Sequence, residues 1–475
     1  MRDDRREMTY GQMGEALDRV RGALHRHGIG QGDVIGICAA NSVAYGLIYV
    51  AAATAGVITA PFPQSAADES IIKMANDAAA KILFADAENA SRFRQIEGLR
   101  IVQLEEIDAW MAGAEARGGV AVAEEHPFNI IYSSGTTGTP KGIVQSHGMR
   151  IAHVRLAEAC GYDEQSITLL STPLYSNTTL VSFLPTIALG GTAIIMSKFS
   201  VEGFLQCAQS YSVTHAMLVP VQYQRLMASL KFDDFDLRSF RHKFCTSAPF
   251  SAELKREILN RWPGGLTEYY GMTEGGGLCI LFAHEHPDKL HTVGRPAPDN
   301  DIRLIDDEGR EVPSAQPGEV VGRSGSLMKG YHNRPDETEA AFWRDGAGHR
   351  FMRTGDMARF DEDGFLILMD RKKDVIISGG FNVYPSDIEE VLLTHPDVRE
   401  VAVIGAPSAK WGETPVAFVV TEGASASDLL EFVNTRLGRS QRVSEVRMID
   451  QLPRNAIGKV LKRSLREAYT GGASV

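Results

Sequence analysis

The sequence predicts an α/β fold, with parallel sheets in a large N-terminal region and a β-rich subdomain after it. Four short apolar runs read as strands and alternate with segments of helical spacing, which is typical of parallel sheets covered by helices. These runs are residues 34–38, 81–84, 192–196 and 215–219. From about Ile302 the pattern changes to short strands joined by tight turns, which indicates the β-rich part.

Local signals mark the first helix and two hairpins. The helix is predicted over residues 9–27, where apolar side chains recur every three or four residues and Gly28 ends the pattern. Its apolar face would consist of Met13, Leu17, Val20 and Leu24. The sequences DEG at 307–309 and EDG at 362–364 predict hairpins, because glycine allows the chain to reverse tightly.

Composition and charge exclude some classes of protein. The 475 residues exceed what one hydrophobic core usually supports, so we expect two or more domains. The net charge of -11 repels a phosphate backbone, so nucleic acid is not expected as a partner, although a local basic pocket could hold one nucleotide.

The cysteines and the N-terminus indicate a cytoplasmic protein. The five cysteines are odd in number, far apart and without a CxxC or Cys/His cluster, so we expect reduced core residues rather than disulfides or zinc ligands. They are Cys38, Cys160, Cys207, Cys245 and Cys279. The first ten residues, MRDDRREMTY, are not followed by the apolar stretch of a secretory signal.

Residues 43–62 carry no charge and approach the length of a membrane span. Their many alanines and glycines contribute little transfer free energy, so a buried helix followed by a strand is the better interpretation. We therefore expect no integral membrane contact.

Residues 132–142, YSSGTTGTPKG, have the composition of a phosphate-binding loop. Glycines admit close backbone approach, adjacent N–H groups and hydroxyls can surround anionic oxygens, and Lys141 adds a positive charge. A P-loop NTPase would need Ser or Thr after the lysine, whereas Lys141 is followed by Gly142. By composition alone, a flexible connector remains an alternative.

This loop resembles the phosphate-loop signature of the adenylate-forming superfamily, which contains acyl-CoA synthetases, adenylation domains of peptide synthetases and firefly luciferase. Further family motifs follow in the expected order over nearly the whole chain. They are TY at 9–10, YYGMTE at 269–274, GYHNRPDET at 330–338, RTGD at 353–356, DRKKDVIISGGFNVYPSDIE at 370–389 and RNAIGK at 454–459. The resemblance is to the acyl-CoA synthetase and aryl-CoA ligase branch.

The resemblance implies an enzyme that activates a carboxylic acid with ATP and Mg²⁺ and then passes the acyl group to CoA. The phosphate-binding residues would be Ser133, Ser134, Thr136, Thr137, Gly138 and Lys141. Tyr270 would stack on adenine, Thr273 would contact the α-phosphate, and Glu274 would hold Mg²⁺. Asp356 would bind both ribose hydroxyls, and Arg371 would reach the ribose or a phosphate.

The resemblance also implies a small mobile α+β C-terminal domain. Lys459 would bridge the carboxylate and the α-phosphate during adenylation, so Lys459, Thr273 and Glu274 are the predicted catalytic residues. The domain at 371–475 would then rotate about Lys373 relative to the ATP- and acid-binding domain at 1–370.

After that rotation, Gly379 and Gly380 would leave room for the pantetheine chain of CoA. Trp411 would lie near the CoA nucleotide, or pack structurally beside its strand. Both interpretations stay open at this point.

Three features depart from the family pattern. Because the sequence begins close to the first motif, we expect the upstream structure found in most relatives to be missing. Gln64 lies where many relatives have an arginine that contacts a CoA phosphate, and Ser176 lies where many acyl-CoA synthetases have a histidine.

The predicted acid pocket favours an aromatic or medium-chain acid. Amino acid adenylation domains of this superfamily have an aspartate in the region of residues 172–179 that pairs with the substrate ammonium, and none is present here, so the resemblance disfavours an α-amino acid. The three glycines after Glu274 are expected to leave volume. The predicted pocket residues are Tyr175, Ser176, Asn177, Val219, Ala248, Gly271, Met272 and Gly276.

Two other functions compete with that of a CoA ligase. An enzyme that loads the phosphopantetheine thiol of a carrier protein is the alternative, although no carrier domain is fused here. A degenerate nucleotide-binding paralogue is disfavoured because the predicted ATP and catalytic residues are retained together. Whether the protein forms a homodimer is left open.

Overall fold

The chain folds as two compact units. The first contains residues 1–302 and 322–352, and the second contains 303–321 and 353–475. The computed structural model describes residues 1–93, 99–133, 140–408, 410–438, 441–454 and 458–470. The predicted boundary between residues 370 and 371 concerns a hinge motion and stays a prediction.

The first helix, Tyr10–Arg26, has the signals expected from its sequence. Thr9 caps its N-terminus in a capping box, with the backbone N–H of Gln12 donating to Thr9 Oγ1 at 3.3 Å. Gly28 has φ +70°, a left-handed conformation that ends the helix. The four predicted apolar-face side chains are buried.

The first unit contains two seven-stranded sheets. In spatial order, the first sheet consists of Gly330–Tyr331, Lys141–Ser146, Pro127–Ser133, Ile58–Pro61, Val34–Cys38, Ile82–Ala85 and Arg100–Gln103. Its last five strands run parallel, whereas Lys141–Ser146 is antiparallel to both of its neighbours, Gly330–Tyr331 and Pro127–Ser133. The buried helix Val43–Thr54 and the strand Ile58–Pro61 confirm the interpretation of residues 43–62.

The second seven-stranded sheet also has five parallel strands at one end and antiparallel pairs at the other. Its strands are Arg295–Pro296, Cys279–Phe282, Gly265–Tyr270, His242–Cys245, His215–Leu218, Ile167–Leu170 and Thr192–Ile195. The last five run parallel. The predicted parallel α/β architecture is therefore confirmed, and the four predicted strands lie within one residue of their expected bounds.

Helices cover both sheets of the first unit. Besides Tyr10–Arg26 and Val43–Thr54 they are Asp68–Asp77, Ala87–Phe93, Ile107–Met111, His147–Ala159, Asn177–Ala188, Val201–Ser210, Pro220–Met227, Ala252–Arg261 and Pro335–Ala340, with 3₁₀ turns at Leu104–Glu106 and Phe232–Asp234. The strand Phe342–Arg344 pairs with residues 350–352.

The second unit begins with the predicted hairpins. Arg350–Phe360 pairs with Leu366–Arg371 through a turn at Gly364, and the other turn lies at Gly309. A further sheet holds Phe381–Val383, Ile376–Ser378, Gly412–Thr421, Val398–Ser408 and Glu445–Met448. The helices are Pro385–Leu393, Ala426–Asn434 and Lys462–Thr470, with a 3₁₀ turn at Lys372–Asp374; the strands Asp301–Ile305 and Gly318–Arg323 flank residues 306–317.

The cysteines lie in the core, as predicted, with one exception. All five are free thiols, and Cys207 alone is half-buried while the other four are buried. Within the described ranges, no helix has both the length and the apolar character needed to span a bilayer.

Candidate active site

The predicted phosphate loop is flanked by two paired strands. Pro127–Ser133 and Lys141–Ser146 run antiparallel, and Ser133 lies opposite Lys141. This pairing holds the backbone on both sides of residues 134–139. The phosphate-binding roles of Ser134, Thr136, Thr137 and Gly138 concern residues outside the described ranges and stay predictions.

Tyr331 connects two predicted site residues, Lys141 and Glu274. Its hydroxyl donates to Glu274 Oε1 at 3.0 Å, and Lys141 Nζ lies 5.0 Å from the centre of its ring. Lys141 Nζ also pairs with Glu337 Oε2 at 2.6 Å. Burial, and next the charge of Glu274, raise the pKa of Tyr331, so its hydroxyl keeps its proton and donates. We call Lys141, Glu274, Tyr331 and Glu337 the Tyr331 cluster.

The chemistry of the Tyr331 cluster fits a metal-bound polyphosphate. Oxygen ligands such as the Glu274 carboxylate are those that Mg²⁺ prefers, and a lysine ammonium is a counter-charge for phosphate. The Lys141 and Glu337 side chains are 29% and 43% exposed. Such a partly solvated ion pair is weak, so a phosphate oxygen can replace Glu337 as the partner of Lys141.

The glycines after Glu274 allow two backbone segments to approach each other. Gly275 and Gly276 have φ +73° and +96°, conformations that L side chains rarely adopt. A Cβ on Gly275 would lie 1.7 Å from the carbonyl oxygen of Ser326, and a Cβ on Gly276 would lie 2.6 Å from the Cβ of Met352. Packing, rather than open volume, therefore accounts for these glycines, and the pocket role of Gly276 stays a prediction.

Several predicted pocket residues lie around the start of the helix Asn177–Ala188. Ser176 caps this helix, its hydroxyl accepting from the N–H of Thr178 at 3.3 Å. Thr178 Oγ1 forms a 2.6 Å hydrogen bond with the hydroxyl of Ser247, whose φ of +83° is unusual for a non-glycine residue. The other predicted pocket residues are the half-buried Tyr175, Ala248 and Met272, the buried Val219 and the exposed Gly271.

A buried arginine contacts this predicted pocket. Arg150 is 4% exposed, and its Nη1 donates to Asn177 Oδ1 at 2.8 Å. Its Nη2 donates to Gln145 Oε1, and Gln145 Nε2 donates to the carbonyl oxygen of Thr273 at 2.7 Å. Both Nε and Nη2 donate to Asn129 Oδ1, at 3.2 and 3.0 Å. One network therefore links Asn177 to Thr273.

In the second unit, Asp356 and Arg371 are opposite each other in the long hairpin. Arg371 Nε lies 3.1 Å from Asp356 Oδ1. Gly355 has φ +70°, and the N–H of Asp356 donates to Thr354 Oγ1 at 3.0 Å, so a local turn sets the position of the carboxylate. A carboxylate accepts hydrogen bonds from hydroxyls, and a guanidinium donates to phosphate, so the pair fits a ribose phosphate.

Glu319 holds the RTGD segment in place. Its side chain is 4% exposed and accepts from Arg353 Nε at 3.1 Å and Nη2 at 2.5 Å. Burial alone would raise the pKa of Glu319, but the hydrogen bond and charge of Arg353 lower it overall. Lys372 Nζ lies 3.2 Å from the same carboxylate, which ties this segment to the turn that contains Lys373.

Lys459 is half-buried in the same unit. Burial, and next the positive charge of Arg371, lower the pKa of Lys459 to about 8, whereas Asp356 raises it. Arg454 Nη1 donates to the carbonyl oxygen of Gly458 at 2.7 Å, which fixes the backbone directly before the lysine. Three predicted residues, Asp356, Arg371 and Lys459, therefore act on one another electrostatically.

The SGGFN turn joins Ile376–Ser378 to Phe381–Val383. Gly379 and Gly380 have φ +59° and +84°. The N–H of Gly379 donates to the carbonyl oxygen of Trp411 at 2.8 Å, and a Cβ on Gly379 would lie 2.9 Å from the Trp411 ring. Trp411 thus packs on this turn while 49% exposed, so its packing role is observed and a CoA contact stays a prediction.

Sequence reasoning missed part of this arrangement. The residues it did not single out are Gln145, Arg150, Glu319, Tyr331 and Glu337. Tyr331 and Glu337 lie inside the GYHNRPDET motif, so that motif was the signal that could have found them. A lone polar residue such as Arg150 carries no comparable signal, because it usually marks a solvated face.

Comparisons with known proteins identify the family of the chain. Residues 1–332 match the family of AMP-binding enzymes, and residues 387–459 match the AMP-binding enzyme C-terminal domain. Feruloyl-CoA synthase of an Amycolatopsis species is 32% identical over 97% of this chain and 94% of its own. 4-Coumarate-CoA ligase 1 of Narcissus pseudonarcissus is 30% identical over 97% of this chain and 88% of its own. Long-chain-fatty-acid–CoA ligase FadD13 of Mycobacterium tuberculosis is 31% identical over 98% of this chain and 93% of its own.

Solved structures share the fold of this chain. ATP-bound MatB from Rhodopseudomonas palustris has a TM-score of 0.91 at 28% identity, covering 98% of this chain and 95% of that one. The o-succinylbenzoate CoA synthetase MenE from Bacillus subtilis, in complex with its acyl-adenylate intermediate, has a TM-score of 0.87 at 27% identity, covering 98% and 94%. The resemblance carried by the motifs is therefore confirmed, and the chain belongs to the AMP-binding enzymes of the adenylate-forming superfamily.

Proposed function

We propose that this protein is an AMP-forming ligase that joins a carboxylic acid to CoA. The observation that carries the proposal is the Tyr331 cluster, in which Lys141 and Glu274, far apart in sequence, meet around one tyrosine. That is the pairing of cation and carboxylate that a metal-bound triphosphate requires. The names of the relatives, which are CoA synthases and ligases, support CoA as the acceptor.

In the first half-reaction, a carboxylate oxygen of the acid would attack the α-phosphorus of ATP, and pyrophosphate would leave. Lys141 would offset charge on the β- and γ-phosphates, while Tyr331 would orient Glu274 toward Mg²⁺. When bound, Mg²⁺ would supply charge neutralisation on the phosphates. Lys459 would place its ammonium between the carboxylate and the α-phosphate, where negative charge develops.

The nucleoside would be held by side chains that already pair with each other. Asp356 and Arg371 form an ion pair that is partly exposed, so the ribose hydroxyls and a phosphate oxygen can take over its hydrogen bonds. Tyr270 would stack on adenine at the end of its strand.

In the second half-reaction, the CoA thiol would lose its proton to solvent, its sulfur would attack the acyl carbon, and the oxygen of AMP would leave with the bonding electron pair. Gly379 and Gly380 would line the path of the pantetheine chain, and the exposed part of Trp411 would contact the CoA nucleotide. Residues 371–475 would rotate about Lys373 between the two half-reactions. The five free cysteines support a cytoplasmic location for this chemistry.

The acid would be aromatic or of medium chain length. Feruloyl-CoA synthase, 4-coumarate-CoA ligase and the long-chain ligase FadD13 are the kinds of relative that support this choice. Loading of a carrier-protein phosphopantetheine thiol is the competing function.

The test combines two assays on the purified chain. With ATP, Mg²⁺ and a panel of benzoates, cinnamates and fatty acids, we expect exchange of labelled pyrophosphate into ATP, and AMP release at a turnover rate only when CoA is added. Exchange without CoA-dependent turnover, but with transfer to a phosphopantetheinylated carrier, would favour the alternative. Absence of exchange with every acid would overturn the proposal.

A further inference from the structure

Arg150 is a buried cation without a carboxylate partner in the part of the chain that the structure describes. Its N–H groups bond to amide oxygens and one imidazole nitrogen, and its guanidinium carbon lies 5.6 Å from the centre of the Phe128 ring. These acceptors belong to Asn129, Gln145, Asn177 and His153. Burying a charge among neutral groups is costly, so its retention at 4% exposure calls for a reason beyond packing.

Arg150 fixes the orientation of the Asn177 amide. Asn177 Oδ1 accepts from Arg150 Nη1 at 2.8 Å and from Gln145 Nε2 at 3.4 Å. The NH₂ group of Asn177 must therefore point away from the arginine. It makes no hydrogen bond to any described residue, so Asn177 presents two donors.

Arg150 also fixes the tautomer of His153. Its Nη1 lies 3.4 Å from His153 Nδ1, and because a guanidinium can only donate, Nδ1 must be the acceptor. The ring proton of the neutral histidine is then on Nε2. Burial, followed by the charge of Arg150, lowers the pKa of His153 to about 3, so the ring stays neutral. Nε2–H likewise has no hydrogen-bond partner within the described ranges.

The Asn177 amide lies beside the predicted acid pocket, and His153 is linked to it through Arg150. Asn177 is the first residue of its helix, next to the Thr178 hydroxyl that bonds to Ser247. The same network reaches the carbonyl oxygen of Thr273 through Gln145. The positive field of Arg150 and the donors that it orients are therefore suited to an oxygen atom of a bound acid.

We infer that Arg150 determines substrate specificity by orienting Asn177 Nδ2 and His153 Nε2–H as donors for a second oxygen group on the acid. This inference rests on the proposed ligase function and narrows its substrate class. The preferred acids carry a carboxylate or hydroxyl besides the carboxylate that reacts. Arg150 is a positioning residue, since it acts through Asn177 and His153.

The first test compares acids matched in size, using pyrophosphate exchange by the intact protein. The series is 4-methylbenzoate, 4-hydroxybenzoate and 4-carboxybenzoate, together with 3-substituted isomers and with heptanoate against adipate. We expect kcat/KM for the best oxygen-bearing acid to exceed that of its methyl analogue by about tenfold or more. A carboxylate or a hydroxyl preference would each support the inference, and the series tells them apart. Equal or better activity with the apolar analogues would overturn it while leaving the ligase proposal intact.

The second test replaces donors without changing size. Asn177→Asp keeps an oxygen for Arg150 but exchanges the NH₂ donors for a negative oxygen. We expect this variant to lose the preference for oxygen-bearing acids, with a smaller change for 4-methylbenzoate. His153→Leu should also reduce the preference, and His153→Gln, which retains a side-chain donor, should restore part of it.

Two outcomes of the second test would overturn the inference. An equal fall for every acid would mean that the donors serve the reacting carboxylate instead, and an unchanged preference in both Asn177→Asp and His153→Leu would mean that they contact no acid. Thermal unfolding with and without ATP shows whether each variant is folded. If Asn177→Asp does not fold, the His153 pair decides alone.

Discussion

At the scale of single residues, Tyr331→Phe separates the two contacts of this side chain. The variant keeps the ring beside Lys141 but loses the hydrogen bond to Glu274. A hydrogen bond to a charged group contributes about 1.5–3 kcal/mol, so we expect the Mg²⁺ concentration for half-maximal pyrophosphate exchange to rise about tenfold. A Mg²⁺ titration measures this effect. An unchanged Mg²⁺ requirement would show that Tyr331 does not orient the metal ligand.

Lys459 gives a prediction on pH. Its pKa of about 8 is below that of an ordinary lysine, because burial and then Arg371 disfavour its charge. Since the ammonium is the form proposed for adenylation, kcat/KM for pyrophosphate exchange should be constant just below about pH 8 and fall above it. Lys459→Arg, which stays charged, should lose this fall even if its activity is lower.

The same shift affects stability with the opposite sign. Above about pH 8, the unfolded chain retains a proton on Lys459 that the folded chain has released, up to the ordinary lysine pKa. Stability contributed by this group therefore rises with pH over that window. A fall in activity there cannot come from unfolding driven by Lys459, and thermal unfolding at each pH checks this separation.

The sequence could predict individual site residues only where a motif marked them. Lys141, Glu274 and Lys459 were each found in a motif, because a particular chemistry needs those side chains in a fixed local order. The contact of Tyr331 with Glu274 depends on how two distant segments pack, and no local pattern encodes that. The same is true of Arg150, whose surroundings come from four separate segments.

At the scale of secondary structure, the turn after Glu274 predicts a large effect of small substitutions. Gly276→Ala would force φ +96° on alanine and place its Cβ 2.6 Å from that of Met352. We expect a loss of about 2–4 kcal/mol in the free energy of unfolding, from backbone strain and overpacking together. Denaturant titration measures it.

Gly14→Ala is the matched control. Gly14 lies exposed within Tyr10–Arg26, and a Cβ there would meet no atom within 4 Å. Alanine should stabilise this helix by about 0.5–1 kcal/mol. The changes in the free energy of unfolding of Gly14→Ala and Gly276→Ala should therefore have opposite signs. If Gly276→Ala were as stable as the parent, the close approach at Gly276 would not be a structural constraint.

The bounds of helices and strands were more predictable from the sequence than the structural roles of individual residues. Thr9, the apolar spacing and Gly28 define the first helix locally, so its bounds were predicted closely. The glycines after Glu274 were interpreted as pocket volume, but Gly275 and Gly276 pack against Ser326 and Met352, which lie far along the chain. A sequence shows that a residue is small, but it does not show which distant segment packs against that residue.

At the scale of the whole molecule, the predicted site residues are divided between the two compact units. Lys141 and Glu274 belong to the first unit, while Asp356, Arg371 and Lys459 belong to the second. In the proposed mechanism these five residues all serve adenylation, whereas Gly379, Gly380 and Trp411 serve only thioester formation, so one half-reaction can be lost while the other is kept. The proposed rotation about Lys373 makes that separation measurable.

Lys373→Pro should block thioester formation and spare adenylation. Lys373 lies in the turn Lys372–Asp374. Lys372 pairs with Glu319 and Asp374 pairs with Arg466, so the residues on both sides of Lys373 are held in place. Proline fixes φ at this position, so it should prevent the rotation while the adenylation arrangement persists. We expect near-normal pyrophosphate exchange with CoA-dependent AMP release reduced by about tenfold or more. Lys373→Ala, which keeps the backbone free to rotate, should show neither defect.

The reciprocal variant, Lys459→Ala, should reduce exchange by orders of magnitude and leave thioester formation from supplied acyl-adenylate largely intact. Together the two variants form a crossed pattern that a general loss of folding cannot produce, because misfolding would impair both steps in each variant. Rapid CoA-dependent turnover by Lys373→Pro would show that the rotation does not occur about Lys373. Equal loss of both steps in Lys459→Ala would show instead that one arrangement of the protein serves both half-reactions, and the rotation would then have no role.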